Sequence, residues 1–301
     1  MAAGVVAGDD EVIESSVVPT NASPGVRSTL ERMFGIVRAL VARSRQRGVD
    51  VLAVGLASAG MIDPVEGRLT TATEALPGWS GVSLREELEH AIGLPAVVVN
   101  DVHALALAES RLGVAVGAND VLYVAVGTGI GGALVRSGAL VSGAHGYAGD
   151  IGHVVVDVSP GAELCPCGRR GHLEAYASGP ALAARYSRRG ATGSQWDLRA
   201  VARQARDGEK LAADVLREGG ELLGRVLGGV VNLVDPELIV FGGGLAELED
   251  ALFWDFVAVA LDAEVRARVR VPCRRTRLGA NAAVIGAALA ARDRCLRNLG
   301  A

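Results

Sequence analysis

The densest chemistry in the chain lies between residues 149 and 174. Gly149-Asp150-Ile151-Gly152-His153 is followed by Cys165-Pro166-Cys167-Gly168-Arg169-Arg170-Gly171-His172-Leu173-Glu174. His153, Cys165, Cys167 and His172 offer two thiolates and two imidazoles within twenty residues. That is the donor set of a closed tetrahedral zinc site, and the intervening glycines and proline allow the tight ligand loop. Four protein ligands leave no position for water, so the expected role is structural: bracing a loop whose carboxylates, Asp150 and Glu174, reach into a site. The alternative is a loop with reduced, idle cysteines. Cys273 and Cys295 stand alone and are expected to be ordinary packing residues. His90, His103 and His145 read as surface or helix-face histidines.

Two further constellations carry chemistry. Asn100-Asp101 closes the apolar run Ala96-Val97-Val98-Val99. At the carboxyl end of a buried strand such groups face a crevice, where a carboxylate can take a proton from an attacking hydroxyl. The same pair reads equally well as the N-cap of the following helix. Gly127-Thr128-Gly129-Ile130-Gly131-Gly132 follows the strand-like VLYVAV, and Gly242-Gly243-Gly244 follows ELIVF. Glycines let backbone N–H groups approach an anion closely, so either turn could cradle a phosphate; the first could also be only a tight turn. The chain has a single lysine, Lys210, so a phosphate loop ending in Gly-Lys-Ser/Thr is excluded.

The elements that must hold these groups follow from length and periodicity. The 301 residues suffice for two domains, half of them are hydrophobic, and the net charge is −4. A disordered tail, a coiled coil and an electrostatic nucleic-acid binder are excluded. No apolar run reaches a membrane span and no signal peptide opens the sequence, so a soluble, cytoplasmic protein is expected. Four cysteines in such a chain do not make a disulfide framework. The first 20 residues alternate as a hairpin turning at Gly8-Asp9-Asp10, and a loop spans Asn21 to Gly25. Helical spacing predicts helices over 26–47, LREELEHAI, 103–113, 174–187, 197–208, 210–234, 250–266 and 282–296. Buried strands are expected in VLAVGLASAG, AVVVND, ELIVFGGG and VRVPCRRT, with two strands around the glycine turn in 120–141 and loops over 142–170. Alternation of strand and helix predicts an α/β fold with largely parallel sheets.

GTGIGGALVRSGALVSGAHGYAGDIGH followed by CPCGRRGHLEAYASGPAL resembles the ROK family of sugar kinases and sugar-responsive repressors, and most of all its ATP-dependent glucokinases. GLASAGMID, ALPGW, VVVND, NLVDPELIVFGGG and ANAAVIGAA extend the resemblance over nearly the whole chain. It implies an actin-like ATPase (ribonuclease-H-like) α/β fold of two lobes. The small N-terminal lobe would be 1–101 completed by the helix 282–301, and the large lobe 102–281, with a hexose between. It further implies that Asp101 is the general base, that Asn100, Asp101, Asp150, His153 and Glu174 bind the sugar, and that Gly127, Thr128, Gly129, Gly131, Gly132, Gly242, Gly243 and Gly244 contact ATP. His153, Cys165, Cys167 and His172 would hold structural Zn2+, with Mg2+ accompanying ATP. The partners implied are a sugar, a nucleotide and further copies of the chain, as a homodimer or homotetramer, with no nucleic acid and no membrane.

Four departures mark this sequence. His172 stands at the family's third zinc cysteine, Asp150 at a usual glutamate, and Ala75 at a common asparagine. The family also opens with a strand and an Asp-x-Gly-Gly-Thr turn, whereas Met1 aligns after that turn. The coding sequence upstream of Met1 is therefore expected to encode them, since without a central strand its neighbours' backbone groups go unpaired. The expected activity is phosphorylation of glucose to glucose 6-phosphate. The alternatives are a sugar-binding protein without catalysis and a regulator of the repressor branch, whose helix-turn-helix domain is not expected here.

Overall fold

The computed structural model describes residues 1–8, 10–20, 25–72, 76–190, 196–244, 251–266 and 270–299. Asp9, residues 21–24 of the loop Asn21 to Gly25, Ala75 and Leu245 lie outside them. In chain order the first elements are β1 (Ala2–Val6), β2 (Val12–Val17), α1 (Val26–Gln46), β3 (Val54–Ser58), β4 (Met61–Ile62) and β5 (Leu69–Thr71). Then come α2 (Leu84–Ile92), β6 (Ala96–Asn100), α3 (Asp101–Leu112), β7 (Val121–Val126), β8 (Ile130–Arg136) and β9 (Ala139–Val141). The rest are α4 (Glu174–Ala177), α5 (Gly179–Arg188), α6 (Leu198–Arg206), α7 (Lys210–Val234), β10 (Leu238–Gly242), α8 (Ala251–Glu264), β11 (Cys273–Arg275) and α9 (Ala282–Leu299). Among the described residues, no helix is long and apolar enough to cross a membrane.

The chain divides into two compact units. The first holds residues 1–116, 142–148 and 277–301. In it β1 pairs antiparallel with β2, β3 parallel with β6, and β4 antiparallel with β5. Among the described residues no ladder joins β1 to β3. Leu30 and Phe34 of α1, Leu84 and Leu88 of α2 and Val98 of β6 share one buried cluster, which is why the apolar spacing of α1 and α2 takes helical form. The helix expected at 103–113 begins at Asp101 and packs on α9, and by contact the first unit runs on to Val116. Glu109 of α3 is wholly buried; its carboxylate accepts hydrogen bonds from the backbone N–H of Val114 (2.8 Å), Arg277 (2.9 Å) and Leu278 (3.0 Å).

The second unit holds residues 117–141 and 149–276. Its sheet runs in the order β11-β10-β7-β8-β9. β11, β10 and β7 are parallel, but β7, β8 and β9 form an antiparallel meander, so the sheets are mixed rather than largely parallel. Short turns allow only antiparallel neighbours, and both connections here are short. Ser137 and Gly138, with φ of 50° and 74°, join β8 to β9 where only one hairpin was expected from sequence. Positive φ at both central residues is the two-residue hairpin geometry, and the Ser-Gly pair was its available signal. The helix expected over 174–187 is broken into α4 and α5 at Ser178, which caps α5 ahead of Pro180 in its first turn. Leu122 and Val124 of β7, Ile239 of β10, Leu223 and Leu227 of α7 and Val257 of α8 belong to one buried core. Cys273 is exposed on β11 rather than packed inside.

Candidate functional site

Asn100 and Asp101 stand in the first unit, where β6 passes directly into α3. Asn100 is the N-cap: its Oδ1 accepts from the N–H groups of Val102 (2.9 Å) and His103 (3.2 Å), and its Nδ2 donates to Gly60 O (2.9 Å). The capping role belongs to Asn100 and frees Asp101 for other work. Asp101 Oδ1 accepts from Val102 N at 2.9 Å. The residue keeps solvent-accessible surface, yet desolvation by surrounding protein raises its carboxyl above the ordinary value, outweighing hydrogen bonds from Val102, its own N–H and Asn100. A carboxylate so raised is a stronger base. His103, expected as a surface or helix-face histidine, lies on α3 and is buried there; its Nε2 faces Ala148 O at 3.4 Å, and desolvation lowers its pKa. His90 and His145 are exposed.

In the second unit, His153, Cys165, Cys167 and His172 converge, with ligand atoms all within 4.8 Å of one another. Cys165 and His172 are buried, His153 is half-buried and Cys167 exposed. His172 Nδ1 lies 3.1 Å from Cys167 Sγ, and His153 Nδ1 lies 2.8 Å from Asp150 Oδ1. His172 thus turns Nδ1 to the group while His153 has Nε2 left to offer. Bond lengths of about 2.3 Å to sulfur and 2.0 Å to nitrogen put tetrahedral ligands about 3.3–3.8 Å apart, so the donor set fits zinc after a small contraction. Burial pushes the Cys165 thiol up to about 12, while the Asp150 hydrogen bond raises His153 to about 9. Desolvation lowers His172. A divalent cation reverses the first effect, because a coordinating thiol is held as thiolate.

Close backbone contacts key this loop to β8. Residues Ile151–His153 form one 3-10 turn, and a Cβ on Gly152 would stand 1.9 Å from Ile130 O. Gly132, read from sequence as a nucleotide contact, lies inside β8 with its Cβ position 2.3 Å from Gly149 O; Gly131 is likewise a β8 residue, paired with Ala125. The turn proper is Gly127-Thr128-Gly129. Ile130 N donates to Glu174 Oε2 at 2.7 Å, so the carboxylate at the start of α4 holds this turn. Gly242 ends β10, and Gly243 has φ of 80° with its Cβ position 2.6 Å from Val126 O, so a side chain there meets both strain and collision. Gly179 N, at the start of α5, donates to Gly127 O at 2.9 Å. Two glycine turns and a helix N-terminus therefore meet at one end of the sheet. The α5 start was missed in sequence, although Ser178-Gly179-Pro180 carries a helix-start signal.

A profile of the ROK family matches residues 1–294. The chain is 40% identical over 230 residues to the kanosamine kinase of Amycolatopsis mediterranei, covering 75% of this chain and 73% of that protein. Among solved structures it is similar to the ROK hexokinase from Thermus thermophilus, with a TM-score of 0.83, 33% identity, and 98% and 95% of the two chains covered. It is also similar to a ROK family glucokinase from Streptomyces griseus in complex with glucose and AMPPNP, with a TM-score of 0.80, 30% identity, and 96% and 95% covered. The mixed sheet with its glycine hairpin, the convergent Cys/His group and a match over nearly the full length lead to one conclusion: the chain belongs to the ROK family, with its actin-like ATPase fold, alongside sugar kinases.

Proposed function

We propose that the chain transfers the γ-phosphoryl group of ATP to the terminal hydroxyl of a hexose, with glucose as the leading acceptor. The observation that carries this reading is Asp101: a carboxylate of raised pKa at the first position of α3, relieved of capping by Asn100. The acceptor hydroxyl donates to Asp101 and its proton passes to that carboxylate as the oxygen bonds to the γ-phosphorus. The bond from that phosphorus to the β–γ bridging oxygen breaks, and ADP leaves. Asn100, whose amide donates to Gly60 O and to Asp101, orients the base beside the sugar, and Glu174 keeps Oε1 to bind sugar hydroxyls. Backbone N–H groups of the Gly127–Gly129 and Gly243–Gly244 turns and the start of α5 form the cradle for the nucleotide. Mg2+ brought with ATP supplies charge neutralisation at the phosphoryl oxygens. Structural Zn2+ held by His153, Cys165, Cys167 and His172 braces the loop that bears Asp150 and Glu174. The reading includes a cytoplasmic homodimer or homotetramer.

The 40% identity to a kanosamine kinase favours a second reading, in which the acceptor is an amino-hexose. The carboxylate of Glu174 is suited to an ammonium as well as to hydroxyls. A coupled ADP-release assay over glucose, mannose, N-acetylmannosamine and kanosamine decides between them by kcat/KM. Highest kcat/KM for glucose supports the first reading and highest for kanosamine the second. Sugar binding by calorimetry with no ADP release from any acceptor overturns both in favour of a sensor.

A further inference from the structure

Asp150 behaves unlike an aspartate placed for capping or for free contact with ligand. It occupies the N-cap position of the 3-10 turn Ile151–His153, yet its side chain makes no capping hydrogen bond. Its Oδ1 instead sits 2.8 Å from His153 Nδ1, three residues on and within the same turn. The backbone on both sides is fixed: Gly149 has φ of 89° and its Cβ position lies 2.9 Å from Gly132 O, while Gly152 abuts Ile130 O. The pair is therefore held against β8, and its geometry does not depend on a bound sugar.

A histidine that ligates a metal through one ring nitrogen commonly gives the other N–H to a carboxylate, which fixes tautomer and ring orientation. We infer that Asp150 is a positioning residue of the metal group: it accepts the Nδ1–H of His153 and so presents Nε2 to the cation with Cys165, Cys167 and His172. This rests on the reading of those four residues as a zinc site, and it moves Asp150 from direct sugar contact to action through His153. The shorter reach of aspartate suits that task, since the carboxylate closes onto a ring three residues away.

The test is zinc affinity, measured on the full chain by competition with a chromophoric chelator, for wild type, Asp150→Ala and Asp150→Asn, with far-UV circular dichroism as the check on folding. The expected result is a 10- to 100-fold weaker zinc affinity for Asp150→Ala, on the order seen when such outer partners are removed. A smaller loss is expected for Asp150→Asn, whose amide oxygen can still accept the Nδ1–H. Excess zinc should then return the sugar KM of Asp150→Ala towards wild type. Wild-type zinc affinity in Asp150→Ala together with a raised sugar KM that zinc does not rescue overturns the inference and makes Asp150 a sugar ligand. Wild-type protein that takes up no zinc overturns instead the metal reading on which it rests. If Asp150→Ala does not fold, Asp150→Asn with wild-type zinc affinity and an unrescued KM has the same overturning force.

Discussion

Replacing Asp101 with asparagine separates chemistry from scaffold more cleanly than any other change in this chain. Asparagine keeps the size of the side chain and an oxygen that can accept from Val102 N, the 2.9 Å bond of the native carboxylate. The α3 cap is supplied by Asn100, so the roughly 0.5–2 kcal/mol that a cap contributes is untouched. What is lost is the proton acceptor. General base catalysis contributes about 10²- to 10⁴-fold, so kcat should fall by that factor, a barrier increase of about 3–5.5 kcal/mol. Sugar KM should change little. Because desolvation raises the carboxyl of Asp101, the wild-type kcat/KM should fall as pH drops through that raised value, an acid limb that Asp101→Asn lacks. Stability runs the other way. A carboxyl whose folded pKa is raised binds its proton more readily in the folded state, so its ionised form weakens folding at neutral pH and the neutral amide does not. Urea unfolding at pH 7 should therefore find the variant as stable as wild type or more so, and the two should converge at pH below the ordinary carboxylate range. Stopped-time ADP release, the pH profile and urea unfolding together check this. Turnover within a few-fold of wild type, with the acid limb intact, would refute the assignment of Asp101 as base.

Three more outcomes are expected. Glu174→Gln keeps an acceptor for Ile130 N and should raise only the sugar KM, whereas Glu174→Ala also releases the glycine turn and should raise the KM for ATP as well; steady-state kinetics in both substrates distinguishes them. Gly243→Ala forces a Cβ to within 2.6 Å of Val126 O at a φ of 80°, and isothermal titration with a non-hydrolysable ATP analogue should show a loss of nucleotide affinity while sugar affinity holds. Glu109→Ala removes a buried carboxylate that accepts from three part-buried backbone N–H groups, and at about 0.5–1.5 kcal/mol for each hydrogen bond lost the first unit should be destabilised by about 1.5–4.5 kcal/mol in urea unfolding, more than by a surface substitution.

The parts of this molecule legible in its sequence are those whose partners are near in the chain or whose spacing is imposed by chemistry. LREELEHAI is α2 residue for residue, because its apolar spacing and flanking Ser83 and Gly93 are local signals. The β7–β8 hairpin declares itself through VLYVAV, a glycine turn and GGALV, and the four Cys/His residues through ligand spacing. Glu109 gave no such sign: two of its three backbone partners lie 168 and 169 residues away, and only the fold brings them together. The burial of His103 on its helix was hidden for the same reason, since what buries it includes a segment 45 residues on. In Gly127–Gly132 one string of glycines serves two purposes. Gly127 and Gly129 make a turn, while Gly132 clears room in β8 for Gly149.

That division of labour also says how the Cys/His loop can matter to the glycine turn at all. β8 begins at Ile130, the residue whose N–H is held by Glu174 and whose carbonyl oxygen abuts Gly152 one residue before His153. Glu174 itself follows His172 by two positions, so both flanks of the Cys/His group end on the same strand residue. A cation that fixes His153 and His172 relative to each other would thereby fix the two contacts on either side of Ile130. Without it, the 149–174 loop should keep its close contacts at Gly149 and Gly152 while Glu174 holds the turn less firmly. Chelation should then raise the KM for ATP and for sugar together. A loop merely decorated by idle cysteines would leave both unchanged.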